Sequence, residues 1–218
     1  MNNQSGNALL YVLVAIVLFA GLSFSMMKMN DGGDTSELDV SKVVFNTNEV
    51  LVYTSQVIKI IQQMSISGTH IENIDFVEKN EVGYDISPHY NKIYHIAGGG
   101  LIKKKLPEYL KEEVTLIPAA GWYLGRFNNV EWTPTAQNDI LLVAYQIKRE
   151  LCESLNKKIT GDKAIPALSS DPSKILLGEG IAFDFLITDC PECEGRSMLC
   201  VSDKSLTSWS FYSIVSPQ

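Results

Sequence analysis

The sequence predicts an α+β protein in which a long N-terminal helix packs on a small, mainly antiparallel sheet. Three features of the 218 residues predict this class: an uncharged apolar run at the start, an amphipathic segment after it, and short strand-like segments beyond residue 70. The composition, with 45% hydrophobic and 20% charged residues, supplies enough apolar side chains for a folded core. The net charge of −7 disfavours nucleic acid as a partner, because contact with phosphates needs a basic surface.

The first element is predicted to cross a membrane. Residues 1–27 contain no Lys, Arg, Asp, Glu or His, and the only polar side chains from Ala8 to Met27 are two serines and one tyrosine. A helix of this length spans about 30 Å, which matches the hydrocarbon core of a bilayer. A cleaved secretory signal would have a basic start and an A-x-A-like site, which this sequence lacks. A plain signal anchor fits the length but leaves the Ser5-Gly6 pair unexplained.

A very short polar leader, MNNQSG, ends in Gly6, and the apolar run follows at once. Over residues 1 to about 65 this layout resembles the prepilins of type IV pili and the pseudopilins of type II secretion. The resemblance implies a leader of residues 1–6, cut by a prepilin peptidase between Gly6 and Asn7, and a transmembrane helix over residues 7–29. It also implies a single-pass protein of the bacterial inner membrane whose C-terminal domain lies in the periplasm.

Two features depart from the family pattern. Pilin leaders usually carry Lys or Arg, and this leader has neither, so it gives almost no charge signal for orientation. Major pilins place Glu at the fifth residue after the cut, whereas this chain has Tyr11 there. A carboxylate in lipid is costly without a partner, so its absence suits a resident anchor and removes the usual contact with a neighbouring subunit. The resemblance therefore implies a minor, tip-type or divergent subunit.

A joint and a second helix are predicted after the membrane segment. Gly32-Gly33 disfavours helix within residues 30–35, which are predicted to form a hinge. Apolar residues then recur at a period near 3.6 from Ser36 to Met64, which predicts an amphipathic helix at the start of an extracytoplasmic domain, residues 36–218. The apolar stripe consists of Val40, Val43, Val44, Val50, Leu51, Val57, Ile58, Ile61 and Met64.

The rest of the domain is predicted to contain short strands and one further helix. A tight turn at Asn128-Asn129 is expected to fold one of the strands into a hairpin. The helix is predicted over Asn138–Ile159, with Ile140, Ala144, Ile147, Leu151 and Leu155 on one face and Gly161 ending it. The predicted strands are Asn73–Val77, Val82–Ile86, Ile93–Ala97, Glu113–Ile117, Trp122–Trp132, the alternating segment Ile181–Ile187, and Trp209–Val215.

The cysteines are consistent with a domain that lies outside the cytoplasm. An even count in a domain expected outside the cytoplasm predicts two disulfides among Cys152, Cys190, Cys193 and Cys200. Four cysteines allow three pairings, and the preferred one joins Cys152 to Cys190 and Cys193 to Cys200. The resemblance adds that pilin C-terminal loops are often closed by a disulfide. A redox C-x-x-C at Cys190–Cys193 and a four-cysteine zinc site are disfavoured alternatives, because no helix start follows the first and a second C-x-x-C is missing for the other.

No catalytic constellation is found, and no metal or cofactor is predicted. His70, His89 and His95 are scattered, and Gly98-Gly99-Gly100 lacks the frame of a phosphate-binding loop. The basic cluster Lys103–Lys105 is expected to be a solvated loop, with contact to anionic lipid or DNA as the alternative. A calcium site at Asp189, Glu192 and Glu194 is a further alternative that no regular ligand spacing supports.

The leading hypothesis is a non-catalytic, pilin-like subunit of a bacterial envelope filament or of a secretion or DNA-uptake machine. Its expected partners are the lipid bilayer, other pilin-like subunits and the prepilin peptidase. A rival hypothesis is an uncleaved, single-pass periplasmic binding module, and a weaker one is a tethered envelope enzyme. The enzyme would require a cleft that unites at least two histidines with a carboxylate.

Overall fold

The computed structural model describes residues 35–112, 118–178 and 184–216. Residues 43–218 form one compact unit. The predicted leader, the membrane helix over 7–29 and the hinge up to residue 34 lie outside the described residues. The strand predicted at 113–117 and positions 181–183 of the alternating segment also lie outside them.

Helix α1 confirms the predicted amphipathic helix and spans Thr35–Ile66. Its inner face buries Val50, Tyr53, Val57, Ile61 and Met64, which recur every three or four residues. Thr47 and Thr54 also lie on this face. Their hydroxyls donate to the carbonyls four residues earlier, at 2.7 and 2.9 Å. These bonds let polar side chains lie on a buried helix face without losing a hydrogen-bond partner.

Within the described residues, four antiparallel strands form one sheet in the order β1-β2-β4-β3. The strands are β1 Gly121–Arg126, β2 Ile140–Ile147, β3 Met198–Ser202 and β4 Trp209–Ser216. Two further helices, α2 Arg149–Thr160 and α3 Pro172–Leu177, lie between β2 and β3 in the chain. Short 3₁₀ helices occur at Ile71–Asn73, Glu108–Leu110, Ile187–Asp189 and Pro191–Cys193.

The sheet separates two hydrophobic cores. The helix-side core joins α1 and α2 to one face of the sheet, and the α3-side core joins α3 and the 3₁₀ helix Pro191–Cys193 to the other. Strand β2 contributes to both, because its successive side chains alternate between the faces. Ile140, Leu142 and Ala144 enter the helix-side core, and Leu141 and Val143 enter the α3-side core. All eight residues of β2 are buried.

The helix predicted over Asn138–Ile159 is wrong in its first half, which is strand β2. A strand covered on both faces carries apolar residues at every position, so it loses the alternation that identifies a half-buried strand. The second half is helix α2, which confirms the predicted end: Gly161 has φ 88° and its amide donates to the carbonyl of Lys157.

A bulge at Gln146 connects the strand to the helix. The register between β2 and β4 shifts between Ala144 and Ile147, and Gln146 has φ 54°, in the left-handed region. Its backbone is nonetheless satisfied, because its amide donates to the Ser210 hydroxyl at 3.3 Å and its carbonyl accepts from the Glu112 amide at 2.9 Å. The bulge returns Ile147 to the helix-side core, so the five residues predicted for one helix face do reach one core.

The strands predicted at Asn73–Val77, Val82–Ile86 and Ile93–Ala97 are also wrong. This region forms turns, with a single parallel bridge between Asp75 and Lys92. The buried Lys92 ammonium donates to the carbonyls of Gly83, Tyr84 and Ile86. A side chain therefore satisfies backbone groups that neighbouring strands would otherwise pair.

Asn128 does not form the predicted hairpin turn. Its side-chain amide is buried and donates to the carbonyls of Lys174 and Ile175 at 2.6 and 2.8 Å, in helix α3. Strand β1 pairs instead with β2, and residues 127–139 connect the two strands. In the alternating segment Ile181–Ile187, Phe185 forms one bridge to Val130, and a 3₁₀ helix begins at Ile187. The last predicted strand, Trp209–Val215, is confirmed as β4.

The turn between β3 and β4 depends on Asp203. Its Oδ1 accepts from the amides of Thr207 and Ser208 at 2.7 and 2.8 Å, and its Oδ2 accepts from the Thr207 hydroxyl at 2.9 Å. Burial alone would raise the pKa of Asp203, but these hydrogen bonds favour the carboxylate and hold its pKa below its ordinary value.

We expect Asp203→Asn to lower the free energy of unfolding by about 1 to 2 kcal/mol at neutral pH, because a neutral amide oxygen accepts more weakly than a carboxylate. The native pKa is depressed, so this stabilisation is complete above the unfolded value of about 4 and is lost as the pH falls through the native pKa. Urea unfolding in nonionic detergent measures both proteins at neutral pH and near pH 2.5. An equal difference at the two pH values would contradict the assignment.

Candidate functional site

The predicted processing site, Gly6 and Asn7, lies outside the described residues. Within residues 35–112, 118–178 and 184–216, no helix has both the length and the apolar character to cross a bilayer. The predicted membrane segment precedes these residues in the chain.

All four cysteines form disulfides, but the preferred pairing is wrong. The bonds join Cys152 to Cys200, with Cα atoms 5.4 Å apart, and Cys190 to Cys193, with Cα atoms 5.3 Å apart. The first bond ties α2 to β3, and the second closes the 3₁₀ turn Pro191–Cys193.

The sheet explains the observed pairing. Cys152 and Cys200 both lie in the helix-side core, whereas Cys190 and Cys193 lie in the α3-side core. A bond between Cys152 and Cys190 would have to pass through the sheet. The four cysteines therefore do not form the zinc site that was considered as an alternative. Their sulfurs are in disulfides and are not thiolates, and the two pairs lie on opposite faces of the sheet.

Asp189, one of the three acidic residues considered for calcium, has a structural role. Its carboxylate accepts from the Ser169 hydroxyl and, at 3.2 Å, from the Leu186 amide. These contacts stabilise the start of the 3₁₀ helix Ile187–Asp189. Among the described residues, no group of three or more His, Cys, Asp or Glu is placed to hold a metal ion.

The outer surface of α1 carries an apolar ridge, defined here as Val44, Phe45 and Val52. Their exposed fractions are 50%, 63% and 50%, although each belongs to a helix whose inner face is fully packed. Val44 was expected in the buried stripe, and Phe45 and Val52 were not predicted as functional residues. The signal available in the sequence was that apolar residues continue around the helix at 43–45, beyond the width of one face.

A small cleft adjoins this ridge. It has a volume of about 110 Å³ and lies between α1 and the segment 104–110, with Phe45 and Tyr109 among its lining residues. Tyr109 is 62% exposed, and its hydroxyl donates to Asn46 Oδ1 at 3.3 Å. The ridge and the cleft lie side by side on the first half of the described helix, and the cleft is also lined by polar residues such as Asn46 and Glu49.

The structure brings together two of the three histidines. The rings of His89 and His95 stack with centroids 4.3 Å apart, and Tyr84 packs on His95 at 4.9 Å. His95 Nδ1 accepts from the Ala97 amide at 3.1 Å, which orients the ring within its own turn. His70 lies elsewhere, beside a cleft at the end of α1.

The glycine segment is confirmed as a loop with a close backbone approach. A Cβ atom on Gly98 would lie 2.2 Å from the carbonyl oxygen of Lys92 and 2.6 Å from that of His89. The glycine is thus required by packing of the turn around Lys92. Lys103, Lys104 and Lys105 follow this loop and line a wide groove beside strand β1.

Comparisons with protein families, curated proteins and solved structures find no match to this chain.

The two disulfides are expected to differ in their effect on stability. Removing the Cys152–Cys200 bond in a Cys152→Ser/Cys200→Ser variant should cost about 4 kcal/mol, because the bond closes a loop of 48 residues. The matched variant Cys190→Ser/Cys193→Ser should cost about 1.5 kcal/mol, since its loop spans three residues. Denaturant unfolding measures both, and peptide mapping without reduction checks the pairing. A peptide that joins Cys152 to Cys190 would contradict the structure.

Proposed function

We propose that this chain is a non-catalytic, pilin-like subunit of a bacterial envelope filament or secretion pseudopilus. In this proposal the segment Ala8–Met27 anchors the chain in the inner membrane, and a prepilin peptidase cuts after Gly6. The domain that follows makes lateral contacts with other pilin-like subunits during assembly. Packing of the apolar helices then replaces contact with lipid at little cost, because both surroundings are apolar.

The outer surface of α1 is the observation that carries this proposal. A helix that packs one face on a sheet normally presents a polar face to water. Here Phe45 and Val52 lie on that outer face with half or more of their surfaces exposed. A filament in which helices of neighbouring subunits pack together would bury these side chains, which gives the ridge a partner.

The disulfides support the proposed compartment. Structural disulfides persist where thiols are not kept reduced, as in the periplasm. Both bonds lie in the cores and include no exposed sulfur, since all four cysteines are fully buried. Burial shields these sulfur atoms from thiols in solution, as is typical of structural disulfides.

An uncleaved, membrane-anchored binding module is the second candidate. The groove beside β1 favours it, because its volume of about 690 Å³ is within the range of ligand sites. In this case the leader stays attached, and the domain acts as a single copy rather than as a polymer subunit.

Mass spectrometry of the N-terminus separates the two candidates. A pilin-like subunit loses Met1–Gly6 and begins at Asn7, whereas an uncleaved module keeps Met1. The variant Gly6→Ala should abolish this processing, and Gly21→Ala, within the apolar run, serves as the control that leaves it unchanged. An intact N-terminus in cells that contain an active prepilin peptidase would overturn the first proposal.

Photo-crosslinking tests the ridge itself. Benzoylphenylalanine in place of Phe45 should crosslink to a second pilin-like subunit in membranes, because the proposed helix contact buries this position. Ile96, which is 89% exposed in the turn region, provides a matched control and should give at least fivefold less product. Equal yields at the two positions would contradict a specific role for α1.

A further inference from the structure

Five large apolar side chains are exposed in the segment 78–105. They fall within a stretch of 21 residues, and 63 to 96% of each is open to solvent. Single exposed apolar residues are ordinary on a protein surface, whereas a group of them indicates a contact surface. The five residues, called here the exposed apolar set, are Val82, Ile86, Tyr90, Ile96 and Ile102.

The backbone of this segment is held in place by side chains. Residues 78–105, all of which the structure describes, contain no helix or strand. A connection of this length without secondary structure is uncommon in a compact domain and usually has a function. The Lys92 ammonium donates to three carbonyls of residues 83–86. The rings of His89 and His95 stack, so the residues that follow them, two members of the exposed apolar set, lie on neighbouring turns.

Lysines accompany the exposed apolar set. Ile102 lines the groove beside β1 together with four lysines, of which two are in ion pairs with Glu78 and Glu49. The other two, Lys79 and Lys105, are exposed and have no ion pair among the described residues. The segment contains five lysines and three acidic residues, so it is basic within a chain of net charge −7. The acidic residues are Glu78, Glu81 and Asp85.

Apolar side chains beside lysines match the surface of a bilayer that contains anionic lipid. The negative surface attracts the ammonium groups, and the boundary between headgroups and acyl chains accepts the apolar side chains. A protein partner would need pockets shaped to side chains that project from several separate turns, because the core of a protein interface is closely packed. A fluid bilayer adapts to such side chains without a matching shape.

We propose that the segment 78–105 docks the folded domain on a membrane that contains anionic phospholipid. The exposed apolar set enters the interface, and Lys79 and Lys105 contact the phosphate groups of the lipid. This contact is separate from the proposed membrane helix Ala8–Met27, which would hold the domain close to lipid. The inference is independent of processing at Gly6 and of filament assembly.

The test uses the full-length chain reconstituted in vesicles of phosphatidylcholine, with or without phosphatidylglycerol. A trace of alkyne-tagged phosphatidylcholine in both reports lipid adducts. Benzoylphenylalanine in place of Ile86, which is 63% exposed, should give at least fivefold more lipid adduct than in place of Leu206, which is 58% exposed between β3 and β4. Omission of phosphatidylglycerol should lower the Ile86 adduct at least threefold, because the lysines then lose their anionic partner.

Neutral lysine variants test the charge contribution in the vesicles with phosphatidylglycerol. Lys79→Gln/Lys105→Gln should lower the Ile86 adduct at least threefold, while its thermal unfolding stays unchanged. Lys163→Gln/Lys204→Gln removes the same charge from two exposed lysines outside the segment and should leave the adduct as in the parent.

Three outcomes would overturn the proposal. The first is an equal yield of lipid adduct at Ile86 and Leu206, and the second is an equal effect of the two lysine variants. The third is an Ile86 adduct that joins two copies of the chain instead of lipid, which would identify a protein contact. A chain that does not float with the vesicles would overturn the proposed membrane anchor as well.

Discussion

Burial of β2 on both faces is the constraint on which the rest of this domain depends. A strand in the middle of a sheet has its backbone paired on both edges, but its side chains still need an apolar layer above and below. Helices α1 and α2 supply one layer, and α3 with the turns around Cys190 supplies the other. Loss of either layer would expose half of the most apolar segment in the described domain.

Buried polar side chains hold together the parts that the sheet does not organise. Lys92 gathers three carbonyls of the turn region, Asn128 anchors the end of α3, and Asn156 covers the edge of β3. Each donates to backbone carbonyls at buried or part-buried sites, and a hydrogen bond left unmade at a fully buried site costs about 1 to 3 kcal/mol. The irregular segments that these three side chains contact thus acquire a fixed shape without strand pairing.

The sequence alone was sufficient to predict a helix or strand where the spacing of apolar residues reflects one buried face. Helix α1 was predicted because it packs one face on the core, and the end of α2 because Gly161 follows two lysines. Strand β4 is buried on both faces, as β2 is, but its short run of aromatic and β-branched residues still predicted a strand. Strand β2 and the turns around Lys92 were not predicted, because burial on two faces and a side chain that binds carbonyls leave no periodic signal. For the candidate site, the four cysteines were identified, but their pairing depends on which face of the sheet each of them reaches.

The bond between Cys152 and Cys200 also shapes how the domain would respond to mechanical load. A force applied to the chain ends passes through the covalent link and bypasses the 48-residue stretch between the two positions. About 160 Å of contour length is therefore withheld from extension, even if α2 and the strands it touches come apart. Extension of the domain under load is therefore confined to the residues on either side of the two cysteines.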